Sequence, residues 1–293
     1  LMSNQIELHQ KTLFGHPIGL FVLFFTELWE RFSYYGMRAI LVLYLVSETS
    51  GSNPGMGWSD GDAIALYGWY TMFVYLATIP GGILADRFLG QRKSVMVGGL
   101  LLCFGHGILA VEALWAFYTG LTFIVLGVGC LKGNISTMVG GLYGNEDIDK
   151  RDMGFYIFYM GINVGAAVSA IVVGYIGEVY SWHYGFGLAG IGMLIGLLTF
   201  LLGSKYLNGL GLPPAPEALA ARAFGVSLEH RIYASAVLFV AVIWFAIQNT
   251  QEMGVVLTLF TAVITAYVIW FSITACTPQE RDRMLSMLLL MFL

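Results

Sequence analysis

The sequence predicts an all-α integral membrane protein, and three observations carry that expectation. Of its 293 residues, 58% are hydrophobic and only 11% are charged, with a mean hydropathy of +0.76, so the chain lacks the charged surface that a soluble protein of this size needs. Apolar runs of the roughly 20 residues that cross a hydrocarbon core recur along its whole length. Lysine and arginine collect on one side of those runs. A net charge of −4, with no clustering of bases into a groove, argues against a nucleic-acid partner.

The first run, 18–46, is overlong for a bilayer and is expected to tilt or extend beyond it. Runs 63–85, 94–111, 113–143, 153–177 and 184–206 follow, the fourth run of the chain again overlong. The connection Ser204–Arg231 holds three of the seven prolines and a glycine-rich start, so it reads as a linker, with a short amphipathic helix expected at Glu217–Phe224. Two more runs, 231–249 and 253–276, carry no acid or base in their apolar interiors and read as lipid-facing structural helices. A last run begins at Met284 and reaches Leu293, about half of a hydrocarbon core, so the chain is expected to end within a helix. The domain expectation is therefore 1–206 as a six-helix unit, 207–230 as a cytoplasmic linker, 231–276 as two additional helices, and 277–293 as a loop and the start of a further helix.

Charge fixes the expected orientation. Lys11, Arg87, Arg92, Lys93, Lys150, Arg151, Lys205, Arg222, Arg231, Arg281 and Arg283 lie in the N-terminal tail or in even-numbered connections. The odd-numbered connections hold only acids, among them Glu48, Glu112, Glu178 and Glu252, which places the N-terminus and the even connections in the cytoplasm. No cleavable signal peptide is expected, since Leu1–Pro17 is polar and the first run exceeds an h-region.

Within the first run, FFTELWERFSYYGMRAILVLYL carries Glu27, Glu30, Arg31 and Arg38. At about 100° per residue, with Glu27 at zero, Glu30 falls at roughly 300°, Arg31 at roughly 40°, Arg38 at roughly 20°, Tyr34 at roughly 340° and Tyr35 at roughly 80°. All four charges share one stripe. Each charge costs about 2.5–3.5 kcal/mol at a helix centre, so the four must pair, face a cavity, or both. Glu27 and Arg31 are i,i+4 neighbours, and a structural ion-pair lock without a ligand is one reading. A cavity wall is the other, because acids, bases and phenols together exceed what one lock requires.

Lys132 in GVGCLKGNIS lies about 16 Å from the nearest connection along a helix axis, beyond comfortable snorkelling reach, and is a candidate functional lysine. Tyr159 and Asn163 stand at i,i+4 in FYIFYMGINVG, where the amide serves either as interhelical glue or as a ligand group. Cys103, Cys130 and Cys276 read as small buried hydrophobes, and His106 and His183 as structural. No HExxH, GxSxG or similar nucleophile–base pattern points to an enzyme.

GGILADRFLGQRKS, with Asp86, Arg87, Gly90 and Arg92, resembles the loop motif of the major facilitator superfamily, in which the acid and a base latch helices at the cytoplasmic gate. Glu27-x-x-Glu30-Arg31-Phe32-x-Tyr34-Tyr35-Gly36 resembles the ExxERFxYYG motif of the proton-dependent oligopeptide transporter family. Phe158-Tyr159-x-x-Ile162-Asn163-x-Gly165 is similar to that family's second signature.

The resemblance implies a major facilitator N-terminal six-helix bundle, two inserted transmembrane helices and the start of core helix 7. It implies a proton-coupled importer of di- and tripeptides in a bacterial inner membrane, needing no cofactor beyond the coupling proton. Arg31, Arg38, Tyr35 and Lys132 would hold the peptide carboxylate, Asn163 would lie near its amine, and Tyr34, Tyr70 and Tyr159 would line the pocket. Glu27 and Glu30, coupled to Arg31, would form the proton-sensitive element. A facilitator of another small anionic or zwitterionic solute, such as an amino acid or nitrate, is the alternative.

Overall fold

The computed structural model describes residues 11–144, 148–215, 217, 219, 221–223 and 225–292. Helix α1 spans Ile18–Val46 and starts directly after Pro17, whose missing N–H costs nothing at a helix entrance. Helix α2, Asp60–Leu84, starts at Ser59, whose hydroxyl accepts from the Asp62 N–H at 3.2 Å. Asp60 and Asp62 occupy its first turn, facing the positive end of the helix dipole. A loop was expected between α2 and the next helix. Instead α2 passes through a π turn at Ala85–Leu89 straight into α3, Gly90–Leu109. Helices α4 (Leu114–Gly141), α5 (Ile148–Val179) and α6 (Trp182–Gly203) follow, and a 3₁₀ turn at Ser204–Leu207 closes α6. After the linker come α7 (Leu228–Gln248), α8 (Thr250–Thr274) and α9 (Pro278–Phe292).

Among the described residues, five helical stretches are long and apolar enough to cross a membrane: 60–109, 114–141, 148–179, 182–207 and 254–274. Helix α1 is as long, but its four charges interrupt the apolar run. In α7 the apolar stretch is Leu238–Gln248. The chain divides into two compact units, Leu1–Ile247 and Gln248–Leu293. In the second unit α8 and α9 pack on each other, while Val255, Leu259, Val263 and Tyr267 of α8 are exposed.

In the first unit α1 packs on α5 and α6, α3 on α4 and α6, and α2 on α4. Its core contains Leu23, Met37, Ile40 and Leu41 of α1, Phe158 of α5, and Phe186 and Phe200 of α6, all fully buried. The α3–α4 seam is backbone against backbone: a Cβ on Gly98 would meet the Gly127 carbonyl oxygen at 2.7 Å, and one on Gly105 would meet that of Gly120 at 2.9 Å. Small residues at matched spacing allow such an approach where lipid supplies no hydrophobic drive. On the opposite end, Asn53 donates to the Gly177 carbonyl at 2.8 Å and accepts from the Trp182 N–H at 3.1 Å, pinning the α1–α2 connection to the α5–α6 turn.

Two hairpins of one design precede α1 and α7. Strand β1 (Thr12–Leu13) pairs with β2 (His16–Pro17), and β3 (Arg222–Ala223) pairs with β4 (Val226–Ser227), both antiparallel. Each is closed by an N–H to carbonyl bond of 3.0 Å, from Ile18 to Lys11 and from Leu228 to Ala221. A two-residue turn needs positive φ, met at 79° by Gly15 and at 78° by Gly225. The amphipathic helix expected at Glu217–Phe224 is corrected in part: Glu217 and Leu219 are helical, but Arg222–Ala223 is strand because the hairpin captures it. Ala221 is outside any helix or strand, and Ala218, Ala220 and Phe224 lie outside the described residues.

Candidate functional site

The charged stripe of α1 is buried inside the first unit. Glu27, Glu30 and Arg31 retain 2%, 0% and 2% of their surface. Arg31 Nε lies 3.0 Å from Glu27 Oε1 and also contacts a Glu30 carboxylate oxygen, so one guanidinium faces two acids. Glu27 Oε2, Glu30 Oε1 and Arg31 Nη2 make no hydrogen bond among the described residues. Two buried carboxyl groups share one base and leave polar atoms unsatisfied, a costly arrangement for a merely structural core.

Two glycines hold the walls of this cluster close. Gly165 of α5 has no room for a Cβ, which would meet the Leu28 carbonyl and lie 3.1 Å from Arg31 Cβ. At Gly196 of α6 a Cβ would lie 3.0 Å from Trp29 Cβ and 3.2 Å from the Thr26 carbonyl oxygen. Gly165 falls in the second sequence signature, so that signature acts here by letting α5 press against the charged turn of α1.

One turn further along α1, the phenols take over. The Arg31 guanidinium stands 5.6 Å and 5.8 Å from the ring centres of Tyr34 and Tyr35, and that of Arg38 stands 5.4 Å and 5.8 Å from the same rings. Both distances suit cation–π attraction, so two tyrosines bridge two like charges. Arg38 is half-buried, lies 5.0 Å from the ring centre of Tyr67, and donates from Nε to its hydroxyl at 2.8 Å. Tyr70 is fully buried, and its hydroxyl makes no hydrogen bond among the described residues. Lys132, half-buried on α4, places Nζ 4.3 Å above the ring of Tyr75.

The structure therefore joins Glu27, Glu30, Arg31, Tyr34, Tyr35 and Arg38 in one column along α1. Sequence reasoning missed Tyr67 and Tyr75. The i,i+3 spacing of Tyr67 and Tyr70 on α2 was the available signal, but their proximity to Arg38 depends on how α1 and α2 pack. Tyr159 and Asn163 stand on the exposed side of α5. The Asn163 amide donates to the Tyr159 carbonyl of its own helix at 3.0 Å, and Tyr159 stacks on Phe155. Among the described residues, no hydrogen bond or ion pair ties either to the α1 column.

In the π turn, Asp86 accepts from the Gln91 side chain at 3.1 Å, and Arg87 is exposed. Gly90 adopts φ 76°, and a Cβ on it would come within 2.6 Å of the Gly211–Pro213 backbone. The Arg92 N–H donates to the Gly211 carbonyl at 2.9 Å. Near this turn Lys93 forms an ion pair with Glu229, at 2.6 Å. His106 is fully buried on α3, with no hydrogen bond to either ring nitrogen among the described residues, whereas His183 Nδ1 sits 3.0 Å from the Leu109 carbonyl oxygen.

Comparison with known proteins gives a consistent picture. A family model described as POT family matches residues 92–293. The chain is 48% identical over 231 residues to an uncharacterized transporter, YclF, of Bacillus subtilis, covering 78% of this chain and 46% of that one. It is 44% identical over 240 residues to a di-/tripeptide transporter of Lactococcus lactis subsp. cremoris, covering 80% and 47% respectively. A crystal structure of a mutant peptide transporter POT in complex with alafosfalin superposes with a TM-score of 0.78 at 38% identity, over 94% of this chain and 56% of that one. The chain thus spans about half the length of the curated relatives it matches.

Proposed function

The chain belongs to the POT family, and we propose that it forms one half of a proton-coupled symporter importing di- and tripeptides by alternating access. The observation that carries this reading is the single Arg31 guanidinium held between two buried carboxylates at the foot of an aromatic column leading to Arg38. A peptide carboxylate arriving at Arg38 and Lys132, with Tyr35 beside it, would compete with Glu27 and Glu30 for Arg31. Arginine offers such a ligand a planar, bidentate fork. A glutamate displaced from its guanidinium in a dry site favours its neutral form and takes up a proton. Substrate binding and protonation then become one linked event.

In this reading residues 1–206 form the six-helix N-terminal bundle of a major facilitator fold, 207–230 a cytoplasmic linker, 231–276 two inserted helices, and 277–293 the start of core helix 7. Tyr34, Tyr70, Tyr159 and Asn163 line the peptide site, with Asn163 toward the amine. The exposure of Tyr159 and Asn163 fits a surface that faces a second bundle across a central cavity. Asp86, Arg87, Gly90 and Arg92 form the cytoplasmic gate motif. The protein lies in the bacterial inner membrane with its N-terminus in the cytoplasm.

Uptake of a labelled dipeptide into proteoliposomes carrying the full-length protein tests the reading. An inward proton gradient is expected to drive accumulation, and Glu27→Gln and Glu30→Gln are each expected to abolish gradient-driven uptake while sparing peptide counterflow. Uptake indifferent to the gradient and to both substitutions would overturn the coupling. Inhibition by nitrate or free amino acids, but not by unlabelled dipeptides, would reassign the substrate to another small anionic or zwitterionic solute.

A further inference from the structure

A cavity of about 510 Å³ lies apart from the α1 column, where the start of α3 meets the second hairpin and the start of α7. Lys93, Pro213, Arg222, Ser227, Glu229 and His230 contribute to its wall. The charge balance there is uneven. Lys93 neutralises Glu229 at 2.6 Å, while Arg222 is exposed and its side chain has no hydrogen bond or ion pair among the described residues. His230 Nδ1 is 2.6 Å from Ser227 Oγ, which leaves Nε2 as its free ring nitrogen. Arg222 and His230 thus both line a cavity whose acid is paired with Lys93, and a guanidinium and an imidazole are donors suited to a phosphate.

The cavity is also built rather than incidental. Beneath it, Leu89, Leu219 and Ile232 form a buried apolar cluster, and the Arg92 N–H to Gly211 carbonyl bond fixes the linker on the π turn. The hairpin register, Arg222 opposite Ser227, sets two of its walls. Its wall also has an apolar part, Pro213, Leu219 and Val226, the last 45% exposed, and Leu212 next to Pro213 is 56% exposed. Further along α7, Leu238, Val242 and Phe245 are exposed as well. A cationic hollow with an apolar rim, at the end of membrane helices, fits an amphiphile better than a soluble ion.

We propose that this cavity binds the phosphate of an anionic phospholipid headgroup, held by Arg222 and His230, with the acyl chains lying along the exposed apolar residues of α7. Lipid would then brace the linker against the π turn, independently of whether the α1 column carries peptides.

Native mass spectrometry of the detergent-solubilised full-length protein tests this. It is titrated with phosphatidylglycerol, with phosphatidylcholine of the same chains, and separately with inorganic phosphate. Phosphatidylglycerol adducts are expected to exceed phosphatidylcholine adducts and to fall at least about fivefold in Arg222→Gln, with His230→Gln weaker in effect and Arg222→Lys intermediate. Thermal unfolding of each variant, expected to be unchanged, separates a lost contact from a lost fold. Retention of inorganic phosphate but not of phosphatidylglycerol, abolished in Arg222→Gln, would overturn the lipid source and assign a soluble phosphate. Equal phosphatidylglycerol adducts in the unsubstituted protein and in well-folded Arg222→Gln would overturn the site.

Discussion

Arg31 is the residue on which the buried charge depends. Its removal would leave Glu27 and Glu30 as uncompensated acids in a site that water barely reaches. Breaking a buried pair in this way costs about 3–5 kcal/mol, so Arg31→Ala is expected to lower the unfolding temperature sharply and to reduce the yield of folded protein. Arg31→Lys should recover the fold but not transport, since an ammonium cannot face two carboxylates with a planar fork. Thermal unfolding and dipeptide uptake, read side by side, separate the two effects. Tyr67 is a milder case. Its hydroxyl accepts from Arg38, which is half-buried and so partly screened. Tyr67→Phe is expected to cost about 1 kcal/mol of orientation and to raise the apparent KM for a dipeptide about fivefold, with little change in thermal stability. An unaltered KM would remove Tyr67 from the site. The α1 stripe was legible from helical periodicity alone, because residues spaced by three and four share a face. Tyr67 and Tyr75 were not, because their role depends on which helix lies opposite, and that information is nonlocal.

At the scale of elements, close helix contacts position the cluster. Gly165 lets α5 meet the Leu28 turn of α1, so Gly165→Leu forces the two helices apart. Overpacking of this kind costs about 1–3 kcal/mol, and more where the obstacle is backbone. The expected outcome is a lower unfolding temperature together with loss of uptake. Gly174→Ala, on the same helix but with nothing within 4 Å, is expected to behave like the unsubstituted protein. If Gly165→Leu unfolds and transports normally, α5 does not shape the site. Helix existence was well marked in the sequence by apolar length, but junctions were not. The loop expected after α2 is a π turn, and part of the helix expected in the linker is a hairpin, because Gly90 and Gly225 at positive φ reroute the backbone where hydropathy gives no signal.

For the whole molecule, orientation is the testable matter. Glu112 lies in the α3–α4 connection and Ser204 in the turn that follows α6. With the native cysteines replaced, Glu112→Cys is expected to react with a membrane-impermeant maleimide in intact cells, and Ser204→Cys only after permeabilisation. The reverse pattern would invert the proposed topology. Composition, span length and helical periodicity are local properties of the chain, so a multi-pass helical membrane protein with four charges on one stripe of α1 is readable without coordinates. The sharing of Arg31 by two buried acids, the meeting of Arg38 with Tyr67 and the cavity between the linker hairpin and the start of α3 emerge from packing alone. Those outcomes rest on which backbones can approach within a glycine's width, a matter of packing that no single segment encodes.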